Sequence, residues 1–127
     1  MKKDKEQRIS QSEAKILHVL WHDQPLNGKD IAKYLIKESW SLVTIKTLIN
    51  RLLKKGYLSF EKHGRQYLYR PTITKKEYLK TENSNFIKRL YNGSFSGLFA
   101  AFSEQEKLSN KELEEIKKII KKMEKDA

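Results

Sequence analysis

Thr44, Thr47 and Arg51 fall at i, i+3 and i+7, with Val43, Lys46, Asn50 and Lys54 around them. On a helix these positions share an outer face, so short hydroxyl and amide groups would stand beside cations. Such side chains hydrogen-bond base edges in the major groove of B-DNA, which is about 12 Å wide and admits a helix. An ammonium group, by contrast, suits a phosphate as a point charge. Thr44, Thr47 and Arg51 are therefore expected to face bases or the adjoining phosphates, and Lys46, Lys54 and Lys55 to face phosphates. Further along, His63-Gly64-Arg65 is a glycine turn from which Arg65 and Lys62 could reach a phosphate or a minor groove.

The elements that must position these groups can be read from caps and periodicity. Ser10-Gln11-Ser12-Glu13 has capping-box spacing, and Ala14, Leu17, Leu20 and Trp21 follow at helical intervals. Asn27 is a second cap, before a short helix expected to bury Ile31, Ala32 and Leu35. Ser41 is a third. Behind it, Ile45, Leu48, Ile49 and Leu52 recur at i, i+3, i+4 and i+7, so this side is buried and the Thr44 side is free, up to a glycine stop at Gly56. Alternation over residues 57–62 and 66–70 predicts two strands around the His63-Gly64-Arg65 turn, closed by Pro71. Three short helices and a hairpin make a winged helix-turn-helix, expected over residues 7–72.

Residues 74–126 are expected to form a second, helical domain. Thr74-Lys75-Lys76-Glu77 opens a helix that Asn92-Gly93 ends, and Phe95, Leu98, Phe99 and Phe102 mark a compact apolar helix. After a cap at Ser109, Leu113, Ile116, Ile120 and Met123 alternate steps of three and four, with Ile119 alongside. Three small helices cannot bury so much apolar surface among themselves, which implies a second chain as cover. The fold class is thus mainly α with a small β-hairpin wing.

Composition agrees. Twenty-seven Lys and Arg against sixteen acids give +11, and residues 1–73 hold fifteen basic and seven acidic side chains, a surplus of eight. A cationic excess concentrated in one half points to a polyanion partner there. With no cysteine, disulfides, thiolate metal sites and a cysteine nucleophile are excluded. No apolar run suits a signal peptide or a membrane span, so a cytoplasmic protein without membrane insertion is expected. His18 and His22 lie at i, i+4 and could in principle chelate zinc, but neither they nor His63 has the companions a metal site needs. No phosphate loop, nucleophile elbow or carboxylate pair points to catalysis, and no cofactor is implied.

Four stretches, ISQSEAKILHVLW, WSLVTIKTLINRLLKKGYL, the hairpin, and FIKRLYNGSFSGLFAAFSEQEKLSNKELEEIKKII, together resemble the penicillinase-repressor family of bacterial transcriptional repressors over nearly the whole chain. The resemblance implies a homodimer that places one winged helix on each half of a palindromic double-stranded operator. It also implies a C-terminal domain joining the two chains, through Phe95, Leu98, Phe99, Phe102, Leu113, Ile116, Ile120 and Met123. In the antibiotic-resistance branches a membrane sensor zinc protease responds to a β-lactam, the repressor is cut, and a β-lactamase or penicillin-binding-protein operon is released. The matching bond here is Ala101-Phe102.

Two positions depart from the family pattern: Ala101 replaces a common asparagine, and Val43 replaces a common lysine, which bears on operator preference. A small residue before a bulky apolar one still suits a thermolysin-like pocket. The copper-responsive branch has a cysteine-rich C-terminal motif that this chain lacks. Two other readings stand beside the resistance repressor: a winged-helix protein-interaction module, and a repressor of the same family answering to another signal such as metal stress.

Overall fold

A serine or asparagine oxygen captures an orphan backbone N–H at the start of most helices, and these caps set the architecture. The computed structural model describes residues 8–127, so the expected domain start at residue 7 and the reading of the opening basic segment lie outside it. The order is α1 (Gln11–His22), α2 (Gly28–Tyr34), a short 3-10 turn (Ile36–Glu38), α3 (Leu42–Lys55), β1 (Leu58–His63), β2 (Gln66–Pro71), α4 (Lys75–Tyr91), α5 (Phe95–Gln105) and α6 (Asn110–Asp126). Ser10 and Glu13 complete a reciprocal capping box, with Ser10 N–H donating to Glu13 Oε1 at 2.8 Å and Glu13 N–H to Ser10 Oγ at 3.1 Å. Asn27, Ser41, Ser94 and Ser109 cap α2, α3, α5 and α6.

Backbone contacts divide the chain into two units, one ending at Lys80 and the other running Thr81–Ala127. In the first, Ile16, Leu17 and Leu20 of α1 meet Ile31 of α2, Ile45, Ile49 and Leu52 of α3, and Leu58 of β1 in one apolar core. Ala32 and Leu35, expected in the interior, are partly buried and pack on that core. Strands β1 and β2 pair antiparallel from Leu58↔Pro71 to His63↔Gln66. The loop is the two residues Gly64-Arg65, and Gly64 takes φ +62, as the first position of a tight hairpin loop of the II′ kind requires. His63 therefore ends β1 and is the first residue of the four-residue turn, while Gly64 and Arg65 form its tip.

The hairpin is tied to the helices by a bridge that sequence periodicity does not reveal. Leu26 N–H donates to Tyr69 O at 3.3 Å and Tyr69 N–H to Leu26 O at 2.8 Å, adding a one-residue third strand. The first turn of α4 is anchored in the same unit. Tyr78 lies 5.4 Å from the Trp21 ring, and Trp21 Nε1–H donates to Ile73 O at 2.8 Å.

The second unit comprises the rest of α4 with α5 and α6. Asn92 (φ 50) and Gly93 (φ 83) take left-handed conformations in succession and end α4. None of the residues from Thr81 to Ala127 is buried.

Candidate nucleic-acid interface

Helix α3 sorts its residues as the spacing predicts. Ile45, Leu48, Ile49 and Leu52 are buried, while Val43, Lys46, Thr47, Asn50, Arg51 and Lys54 are exposed on the outside and Thr44 is half-buried. Ser41 Oγ accepts the Thr44 N–H at 3.1 Å and Gly56, at φ 85, closes the far end. The polar groups are partly occupied. Thr47 Oγ1 donates to Val43 O at 2.9 Å, and the Ser41 and Thr44 hydroxyls lie 3.1 Å apart. Both threonines keep oxygen lone pairs for an outside donor. Lys46, Arg51 and Lys54 have no carboxylate partner among the described residues.

One lysine departs from expectation. Lys55 does not face outward for a phosphate: its Nζ donates to Glu13 Oε1 and to Arg8 O, at 2.7 and 2.8 Å. Lys54 and Lys55 are adjacent in sequence, yet one residue on a helix is a rotation of about 100°, enough to turn Lys55 toward α1. Glu13 is 1% exposed. Burial pushes its pKa up, but the Lys55 ammonium and the Ser10 hydrogen bonds outweigh that and hold it below the ordinary carboxylate value.

On the hairpin, Lys62 and Arg65 are exposed, and Lys62 Nζ lies 6.0 Å from the centre of the Tyr67 ring. Tyr67 in turn meets Phe60 edge to face at 5.2 Å. Arg65 and Lys46, read separately from sequence, line one cleft together with Asn27, Lys29, Tyr67 and Tyr69. Sequence reasoning missed Lys29 and Tyr67 because nothing local shows that the start of α2 and the second strand face each other. The histidines are scattered: His18 abuts Trp21 and Tyr78, His22 abuts Tyr34, and His63 Nε2 lies 3.1 Å from Glu61. Burial, and then nearby Lys75, push the His18 pKa down. Among the described residues no cluster of His, Cys, Asp or Glu could hold a metal ion.

In the second unit, Phe95, Phe99 and Phe102 are exposed on α5, and Leu98 and Ala101 are half-buried. On α6, Leu113, Ile120 and Met123 are exposed and Ile116 is half-buried. No helix among the described residues is long and apolar enough to cross a membrane.

The sequence profile of the penicillinase repressor family matches residues 9–122. The chain belongs to the penicillinase-repressor family. It is 35% identical over 114 residues to the penicillinase repressor of Bacillus licheniformis, covering 89% of each chain. It is 31% identical to the methicillin resistance regulatory protein MecI of Staphylococcus aureus, covering 94% of this chain and 98% of that one. Among solved structures, the DNA-binding domain of the repressor BlaI superposes with a TM-score of 0.53 at 38% identity, over 61% of this chain and 94% of that domain. Monomeric B. licheniformis BlaI in complex with the blaP half-operator gives 0.50 at 37% identity, over 57% and 89%. Both matches agree with the winged helix described above. The family consists of DNA-binding repressors, not enzymes.

Proposed function

We propose that this family member is a transcriptional repressor of a β-lactamase or penicillin-binding-protein type resistance operon, binding palindromic operator DNA as a homodimer. The observation that carries the reading is the outer face of α3: hydroxyl, amide and cationic groups stand exposed on a helix whose opposite side is locked into the core. Thr44, Thr47, Asn50 and Arg51, with Val43, meet the major groove. Lys46, Lys54, Lys62 and Arg65 meet the backbone. The winged helix expected over residues 7–72 serves as the DNA-binding domain, with the first turn of α4 packed on it. The rest of the expected 74–126 domain, from Thr81 on, serves as the dimerisation domain. Support for the DNA-binding part comes from the monomeric BlaI half-operator complex, to which the winged helix is similar.

The duplex from the chain's own upstream region tests it by anisotropy titration at several salt concentrations. Log K should fall linearly with log salt, by about 0.9 for each phosphate neutralised. Indifference to that duplex overturns the reading and leaves a protein-docking role for the winged helix. Arg51→Ala should cost about 1–3 kcal/mol of operator affinity, roughly five- to hundred-fold, and unchanged affinity would remove Arg51 from the interface.

Release follows from the second unit. Ala101 and Phe102 lie one turn before the end of α5, where Glu106 N–H donates to Phe102 O at 2.9 Å. A protease takes its substrate extended, so this turn must unwind first. With few buried contacts, such local opening is inexpensive. A membrane sensor zinc protease cutting Ala101-Phe102 would separate the two winged helices without altering a base contact. Mass spectrometry of the chain from β-lactam-treated cells should show a fragment ending at Ala101, and an intact chain throughout would mean that release answers to another signal.

A further inference from the structure

Between the start of α2, the middle of α3 and the hairpin lies a cleft of about 320 Å³. Three cations line it, each from a different element: Lys29 of α2, Lys46 of α3 and Arg65 of the hairpin loop. None of them has a carboxylate partner among the described residues, although acids are near in sequence. Asp30 is 3.5 Å from Lys33, and Glu61 pairs with His63 and Arg70. Strand alternation puts Glu61 on the hairpin face opposite Tyr67 and Tyr69, which wall the cleft.

The walls are fixed before any ligand arrives. Asn27 Nδ2–H donates to Gln66 Oε1 at 2.5 Å, and the Leu26–Tyr69 bridge closes the same corner. Like charges held together in a small cleft repel one another, and an anion relieves that repulsion. The volume is at the lower end for ligand sites, about 300–1,000 Å³, which suits a single phosphate group. Two aromatic walls, Tyr67 and Tyr69, offer apolar surface to a sugar on either side of it.

We infer that this cleft seats one backbone phosphodiester of the duplex, with Lys29 and Tyr67 acting beside Lys46 and Arg65 as positioning residues that set how deeply α3 enters the groove. The inference rests on the repressor reading. Phosphate contacts fix register and carry no sequence information, so losing this one should weaken all duplexes alike.

Full-length Lys29→Ala, altered at an exposed position, is compared with the unaltered chain on the operator and on a scrambled duplex of equal length. Both affinities should drop by the same factor, about three- to tenfold, and the salt slope should become shallower by about 0.9 per half-site. Phosphates are then neutralised one at a time as methylphosphonates. At one position in each half-site, neutralisation should weaken the unaltered chain clearly more than it weakens Lys29→Ala, which keeps only Lys46 and Arg65 on that phosphate. Additive losses at every position overturn the cleft assignment alone, whereas an unaltered chain that binds neither duplex sinks the repressor reading and this inference with it. Saturation of the Lys29 and Tyr67 resonances by micromolar inorganic phosphate, at ionic strength matched with chloride, would make a free anion the occupant and also overturn it.

Discussion

Replacing Ile120 and Met123 together by glutamate is expected to lower affinity for a two-half-site operator by about 10²–10⁴-fold, the gain that linking two binding events supplies. Both side chains lie on α6, and in the single chain they are 49% and 67% exposed. Glutamate is a good helix former, so the substitutions cost the isolated chain little. A large loss must then come from a surface that another chain covers. Binding to a single half-site is the internal control: it should change only by the modest effect of two added negative charges. Sedimentation equilibrium should move from twice 15.1 kDa toward that mass itself. If the double variant stays dimeric, the α6 seam is not the joint.

The second large effect is on stability. Lys55→Met should destabilise the DNA-binding unit by about 3 kcal/mol at neutral pH, because removing one partner of a buried pair leaves an uncompensated charge. The partner left behind is Glu13, 1% exposed, while Lys55 is 20% exposed. Against a total stability of about 5–15 kcal/mol, that is a substantial part.

The dependence on pH has a definite sign. In the unaltered chain burial raises the Glu13 pKa, but Lys55 and Ser10 bring it below its unfolded value. Its contribution is therefore full above the ordinary carboxylate range and is lost as pH falls through the lowered folded value. In Lys55→Met burial is opposed by less, the folded pKa rises, and acid favours the folded variant instead. Urea unfolding at a series of pH values should show the gap between the two proteins narrowing as pH falls. A gap that stays constant would mean that Glu13 is not the group left unpaired.

Much of the fold was legible because its signals are local. Ser10, Asn27, Ser41 and Ser109 cap helices by bonds that span three residues, and the buried side of α3 follows from a period of 3.6. The candidate interface was legible for the same reason, since its stripe is the complement of that buried side. What stayed hidden depends on residues far apart in the chain. Glu13 and Lys55 are 42 positions apart, so the capping-box reading of Glu13 was right but incomplete, and Lys55 looked like its free neighbour Lys54. The Leu26–Tyr69 bridge and the cleft joining Lys29 to Arg65 arise only after α2 and the hairpin have packed. The 3-10 turn at Ile36–Glu38 left no period to detect.

The part of the chain after Lys80 has no interior of its own. In the proposed homodimer its order would be a collective property, set by the concentration of the chain, since folding that depends on association follows mass action. In that dimer, a newly made molecule that meets no other would hold a single half-site and little else, and dilution by growth would act on the complex in the same direction as cutting at Ala101-Phe102.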